Sequence, residues 1–227
     1  MDFNLLRARY PGAPYVLPFL LFLLLLAIGR ERLVPPEIDL PARVIILGAA
    51  LWFVSRGVIQ LRSRQLLLSS CVGVLVFVLW IAPGELFPHY RDHWLLQNAV
   101  TGSLQVSLSK DSLGNPWLLA CRSIRAVLLV PIIEELFWRA WLMRWLISPR
   151  FQDVRLGAFD LSSFCLTAIL FATEHGPFWD VGLMAGLVYN WWMVRTRSLG
   201  DCILAHAVTN SCLCGYVIAT HRWEYWL

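Results

Sequence analysis

Apolar positions in this chain are gathered into long blocks rather than alternating, and polar residues collect between the blocks. Blocks of this kind predict helices that cross a hydrocarbon core of about 30 Å, which takes about 20 helical residues. They lie at 13–29, 42–61, 65–82, 116–147, 161–175, 180–195 and 199–220. The fourth is too long for one perpendicular crossing and contains Pro131, so it predicts either one kinked, tilted helix or two helices. The expected fold is therefore all-α, a polytopic integral membrane helix bundle with seven or eight transmembrane helices. Residues 1–115 would supply N-terminal helices and a polar loop, and 116–227 the core that carries chemistry, within one membrane domain. The longest polar stretch, 83–115, reads as a loop with a surface helix around 94–104. The first block follows Arg7 and Arg9 and ends in Ile28-Gly29-Arg30 without a small-residue cleavage pattern, so it is expected to be an anchor and not a removed leader.

Composition strengthens the membrane reading: 58% of residues are hydrophobic, 15% are charged, mean hydropathy is +0.61 and the 227 residues include 12 Trp. A net charge of +4 is modest and comes almost wholly from arginine, Lys110 being the lone lysine, so nucleic acid is not an expected partner. The arginines cluster at block ends, as Arg62 with Arg64, Arg150 with Arg155 and Arg195 with Arg197. These fall on alternate turns of a seven-span chain, which puts the N-terminus in the cytoplasm, although Arg30, Arg32 and Arg43 oppose that orientation. Cys71, Cys121, Cys165, Cys202, Cys212 and Cys214 lie in or beside apolar blocks without metal-ligand spacing and read as small buried hydrophobes.

Charges inside the blocks need a reason, because each costs roughly 2.5–3.5 kcal/mol at the centre of a bilayer helix. In Glu134-Glu135-Leu136-Phe137-Trp138-Arg139, Glu135 and Arg139 are i,i+4 neighbours in the favourable acid-first order. Glu134 is rotated about 100° away and has no local cation, which suits a general base. His175 closes Phe171-Ala172-Thr173-Glu174-His175 and precedes the helix-ending pair Gly176-Pro177. His206 and Asn210 share a helix face at i,i+4, so an imidazole and a carboxamide point the same way. Read singly, the ion pair is structural glue, His175 an interfacial histidine, and His206 with Asn210 an interhelical hydrogen bond. Together they supply a carboxylate, two imidazoles and an amide from three segments, which is a functional-site hypothesis.

These three groups resemble, in order and placement, the signature of the CPBP intramembrane proteases, the family of the type II CAAX prenyl endopeptidases: Glu-Glu-x-x-x-Arg, Phe-x-x-x-His and His-x-x-x-Asn. The resemblance covers roughly 116–216, and within the family the chain looks most like the bacterial exosortase-associated CAAX-protease-related proteins. It implies an integral-membrane endopeptidase in a bacterial inner membrane, without a cofactor, acting on a membrane-anchored or prenylated peptide. It further implies that Glu134 and His175 activate a water, that His206 and Asn210 stabilise the oxyanion, and that Glu135 and Arg139 support them. Ala140 stands where many members have Gly, and Glu174 is an additional carboxylate that could pair with an arginine. Two alternatives stay open. One is a zinc protease with Glu134, His175 and His206 as ligands, although no His-Glu-x-x-His helix is present. The other is a non-catalytic scaffold or transporter.

Ideal straight helices would leave His175 and His206 ~14 Å apart in depth. The site closes only if a helix is short or tilted, or if the Gly176-Pro177 region dips inward, and such a break is predicted. Trp138, Trp141, Trp145, Trp191 and Trp192 are expected either to line an apolar substrate groove or to form an interfacial belt.

Overall fold

The computed structural model describes residues 9–30, 33–104 and 110–226. Arg7 and Arg32, counted above among the flanking charges, lie outside them. Among the described residues there is no strand, and the chain is built on seven principal helices: α1 (Ala13–Arg30), α2 (Pro36–Ser55), α3 (Leu66–Leu86), α4 (Pro116–Trp145), α5 (Leu161–Thr173), α6 (Trp179–Thr196) and α7 (Leu199–Thr220). Four of them, α2, α3, α4 and α7, are long and apolar enough to cross a membrane, whereas α1 and α5 are apolar but shorter. The outer surface is apolar in keeping with this: Leu67, Ile45 and Leu24 are 77%, 70% and 55% exposed. Such a surface is stable only against lipid.

Local sequence explains most helix boundaries. Asn115, Asp160 and Ser198 cap α4, α5 and α7, their side-chain oxygens accepting from the backbone N–H of Trp117, Ser163 and Asp201. The polar stretch after α3 does not contain the expected helix at 94–104. Among the described residues it holds a 3₁₀ turn at Tyr90–Asp92, turns organised by Asn98, whose side chain accepts from the N–H of Val100 and Thr101, and a four-residue helix at Lys110–Leu113. Short polar residues here satisfy the backbone locally and compete with helix.

The long fourth block is one continuous helix rather than two, and it absorbs Pro131 by widening. Two stretches, Arg125–Leu129 and Leu136–Leu142, adopt the π geometry in which N–H groups reach five residues back. Pro131 accounts for the first. The N–H of Val130 donates to Arg125, and the donor one residue later is Pro131, which has no N–H, so the Ala126 carbonyl loses both helical partners. The second stretch begins directly after Glu135 and ends beyond Arg139, within the segment that carries the charges.

The helices share two ends. At one, the turn before α3 folds over the start of α7, where Asp201 accepts from the Ser63 hydroxyl and from the N–H of Arg64 and Gln65 at 2.5, 2.9 and 2.9 Å. At the other end Arg222 pairs with Glu85 at 3.1 Å, and Arg91 bonds the backbone of Pro177. Helices α3 and α7 run in close contact, as do α5 and α6. Gly73 permits the first approach, since a Cβ there would meet the Ala205 carbonyl at 2.4 Å. Small residues at crossing points are how membrane helices approach closely enough to gain packing energy.

Candidate active site

The depth problem set by straight helices lies across α6, which is not short: its 18 residues rise ~27 Å. Helix α5, which leads into His175, has 13 residues and rises ~20 Å. The chain then turns inside the bundle through the 3₁₀ segment Gly176–Phe178, with Gly176 at φ +52°. A left-handed φ of this kind is readily adopted only by glycine among apolar residues. The predicted break is present, and it brings both imidazoles onto one aromatic ring: Phe171 lies 4.7 Å from His175 and 6.4 Å from His206, centroid to centroid.

Arg139 and Glu135 form the expected pair, Nη1 to Oε1 at 3.0 Å, with both side chains wholly buried. The pair is part of a larger network. Arg139 Nε donates to Asn190 Oδ1 at 3.1 Å, and the guanidinium stacks over Phe171 and Tyr189 at 4.5 and 5.3 Å. The same Glu135 oxygen accepts from His206 Nδ1 at 2.9 Å. Fixing the proton at Nδ1 leaves His206 Nε2 facing Glu134, 3.9 Å from Oε2. Tyr189 stacks on the His206 ring at 5.1 Å and 21° and anchors its hydroxyl on Thr209 at 2.7 Å.

Glu134 is 5% exposed, and its Oε2 has no hydrogen-bond partner. One atom each of Glu134, Glu174 and His175 lie within 4.8 Å of one another. His175 Nδ1 donates to the Phe171 carbonyl at 2.8 Å, which leaves Nε2 with a lone pair. Glu174 does not pair with an arginine. Its Oε1 accepts from Trp138 Nε1 at 3.1 Å, and its Oε2 is buried without a partner. Two carboxylates and an imidazole thus converge with acceptor atoms unsatisfied, an arrangement that takes a water, an ammonium group or a divalent cation. The ligand set closest in space is Glu134, Glu174 and His175, so Glu174 takes the place that the zinc alternative gave to His206.

The expected imidazole and amide pair is divided by its contacts. His206 bonds Glu135, whereas Asn210 Nδ2 donates to the Ala126 carbonyl at 2.7 Å, the group that Pro131 leaves without a helical donor. Asn210→Ala is therefore expected to lower stability by ~1–3 kcal/mol, the cost of an unsatisfied buried acceptor. Adding Pro131→Ala, which restores an N–H at that turn, should recover part of the loss. Thermal unfolding of the single and double variants in detergent checks this.

Trp80, Asn190, Tyr189 and Thr209 belong to the site and were not singled out by sequence reasoning. Asn190 carried a usable signal, being an amide inside an apolar block. Trp80 carried none, yet its ring stands 5.2 Å from His175. Of the five tryptophans expected to line a groove or form a belt, Trp138 is at the site, Trp192 is buried and donates to Ser69, Trp141 stacks on Trp145 at 5.7 Å, and Trp145 and Trp191 are 43% and 50% exposed. All six cysteines are free, but Cys71 and Cys165 are exposed rather than buried, as small apolar residues on a lipid-facing surface can be.

No curated protein and no solved structure matches the chain. A family model does: residues 116–212 match the type II CAAX prenyl endopeptidase Rce1-like family, over the segment that carries Glu134, Glu135, Arg139, Glu174, His175, His206 and Asn210. With apolar helices of membrane-spanning length around that segment, this chain is an integral membrane protein whose residues 116–212 are similar to the Rce1-like family of type II CAAX prenyl endopeptidases.

Proposed function

We propose that the chain is a multi-pass intramembrane endopeptidase that hydrolyses a peptide bond in a membrane-anchored or prenylated substrate with a water activated by Glu134 and His175. The observation that carries this reading is the convergence of one ligand-capable atom each of Glu134 and His175 within 4.8 Å, with Glu134 Oε2 buried and without a hydrogen-bond partner. In this mechanism Glu134 takes a proton from the water as its oxygen attacks the peptide carbonyl carbon. In this reading His206 acts as the imidazolium: Nδ1–H is held by Glu135 and Nε2–H donates to the oxyanion. The C–N bond then breaks and the leaving amine receives the proton held by Glu134. Asn210 contributes by holding the widened turn of α4, with its second N–H left for the oxyanion.

All seven helices cross the membrane in this reading, with 1–115 completing the core formed by 116–227. The arginine-bearing turns and the N-terminus lie on the cytoplasmic side of a bacterial inner membrane, as the positive-inside rule requires. Within the family, the bacterial exosortase-associated CAAX-protease-related proteins are the subgroup this reading favours.

A second reading is favoured by one observation, the three-atom cluster of Glu134, Glu174 and His175. These residues fit a divalent cation by type and by convergence. Such an ion would supply a polarised water at the same point, and Glu134, Glu174 and His175 would hold it. Cleavage of lipid-anchored peptides by purified protein in liposomes separates the two. The glutamate and water mechanism is expected to leave the rate unchanged by a strong chelator. Loss of activity with chelator and recovery with zinc would establish the metal reading instead.

A further inference from the structure

Three arginines stand together between α2 and α4, and Arg125 among them lies ~14 Å along α4 from Glu134. Arg43, Arg122 and Arg125 are each more than nine-tenths buried. Arg43 and Arg122 are close enough to repel Arg125, and Asp39 is close enough to attract it. Asp39 is already engaged, since Arg43 Nε donates to it at 2.8 Å. Arg122 has the ring of Trp226 at 5.1 Å. Arg125 makes no hydrogen bond, ion pair or ring contact among the described residues. A buried guanidinium in that condition is costly unless an anion completes it.

The charges of Arg43 and Asp39 cancel, which leaves Arg125 as one positive charge, the complement of the single negative charge of a phosphodiester. Arg43 meets Asp39 through Nε and keeps its terminal nitrogens for other acceptors. Its guanidinium is set against α1, where a Cβ at Gly29 would meet Nη2 at 1.8 Å. Two guanidiniums held on different helices suit the several acceptor oxygens of a phosphate.

The surroundings are those of a lipid and not of a soluble anion. Leu40 clusters with Leu118 and Cys121, and Arg43, a turn later, faces Arg122 and Arg125, so α2 and α4 run parallel here. One turn further in the same direction, Ile46 and Leu128 are exposed apolar side chains. In the opposite direction lie Glu37 and Asp39, in the first turn of α2. The apolar block of α2 begins at Ala42, which puts Arg43 at the boundary between headgroups and hydrocarbon. Helix α4 rises ~45 Å against a core of about 30 Å, so extending the excess at this end brings Arg125, ~14 Å from its start, to the same boundary.

We propose that Arg125 and Arg43 bind the phosphate of an anionic phospholipid, whose acyl chains run along Leu128 and Ile46. Arg122, held on Trp226, lines the site and adds to its positive field.

The test titrates delipidated full-length protein in neutral detergent with phosphatidylglycerol or phosphatidylcholine. Bound lipid is counted by native mass spectrometry, and thermal unfolding is followed on the same preparations. Phosphatidylglycerol is expected to bind about tenfold or more tightly than phosphatidylcholine, whose choline cation would face the arginines, and to raise the thermal midpoint further. Arg125→Leu should bring the ratio close to one. Its midpoint in phosphatidylcholine should match or exceed that of the parent, because an uncompensated charge has been replaced by apolar atoms. Arg125→Gln should lose the preference likewise and serves where the leucine variant does not fold. Arg195→Gln, at the other end of the bundle, should keep it. Equal binding of the two lipids by the parent would overturn the proposal. An unchanged preference in folded Arg125→Leu or Arg125→Gln would do the same, as would its loss in Arg195→Gln, which indicates general attraction to the surface. A marked fall in the midpoint of Arg125→Leu in phosphatidylcholine would count against it too, since protein groups would then already compensate Arg125. Inorganic phosphate that raises the midpoint as far as phosphatidylglycerol would reject the lipid and leave a site for the free anion.

Discussion

Glu134→Gln is expected to lower kcat for a membrane-anchored peptide by about 100-fold or more while leaving the protein folded. General-base catalysis contributes ~10²–10⁴-fold, and a carboxamide cannot accept the proton of the attacking water. The reason to expect normal folding is that Glu134 carries little of the structure. His206 Nε2 lies 3.9 Å from its Oε2, longer than a hydrogen bond, and that oxygen has no partner. Gln is nearly isosteric, so the packing around this buried side chain survives. Cleavage rate and thermal midpoint, measured on the same preparation, form the check. A folded variant with wild-type kcat would remove Glu134 from the chemistry.

Arg139→Met is expected to destabilise the protein by ~3–5 kcal/mol, because removing one partner of a buried ion pair strands the other. Arg139 is wholly buried, and it would leave Glu135 without its cation and Asn190 Oδ1 without its donor. Loss of stacking on Phe171 and Tyr189 adds to the cost. His206 would be affected indirectly, since the Glu135 oxygen that holds it is the one shared with Arg139. The double variant Glu135→Gln with Arg139→Met should therefore be less destabilised than the two single effects added, as expected for groups in one network. Thermal unfolding in detergent of the four proteins measures this coupling. Additive effects would show that the pair contributes as two independent side chains.

The two variants divide the adjacent glutamates by role. Glu135 takes Arg139 and His206 on one oxygen, Oε1, and holds both in place, while its Oε2 is buried without a partner; Glu134, one residue earlier, has no such pair of donors and lies beside His175 and Glu174. A helix turns about 100° per residue, so adjacent side chains face different surroundings. In α4 Glu134 and Glu135 close an ordinary helical turn, and the wide stretch begins directly after them at Leu136.

The sequence by itself determined the parts that depend on composition and on local spacing. Long apolar blocks implied an all-helical membrane chain, because backbone groups in lipid must be satisfied internally. The i,i+4 rule identified the Glu135 and Arg139 pair, and Gly176-Pro177 marked the break that closes the site. Tertiary structure decided everything that depends on which helix lies opposite. Asn210 and His206 share a face, yet one meets the carbonyl freed by Pro131 and the other meets Glu135, because α4 presents both groups to α7. Glu174 meets Trp138 and Glu134 rather than an arginine, and Arg91 reaches Pro177 and Asp180 across more than eighty residues of chain. Spacing along one helix constrains where a side chain points, but the partner it finds there is set by the packing of distant segments.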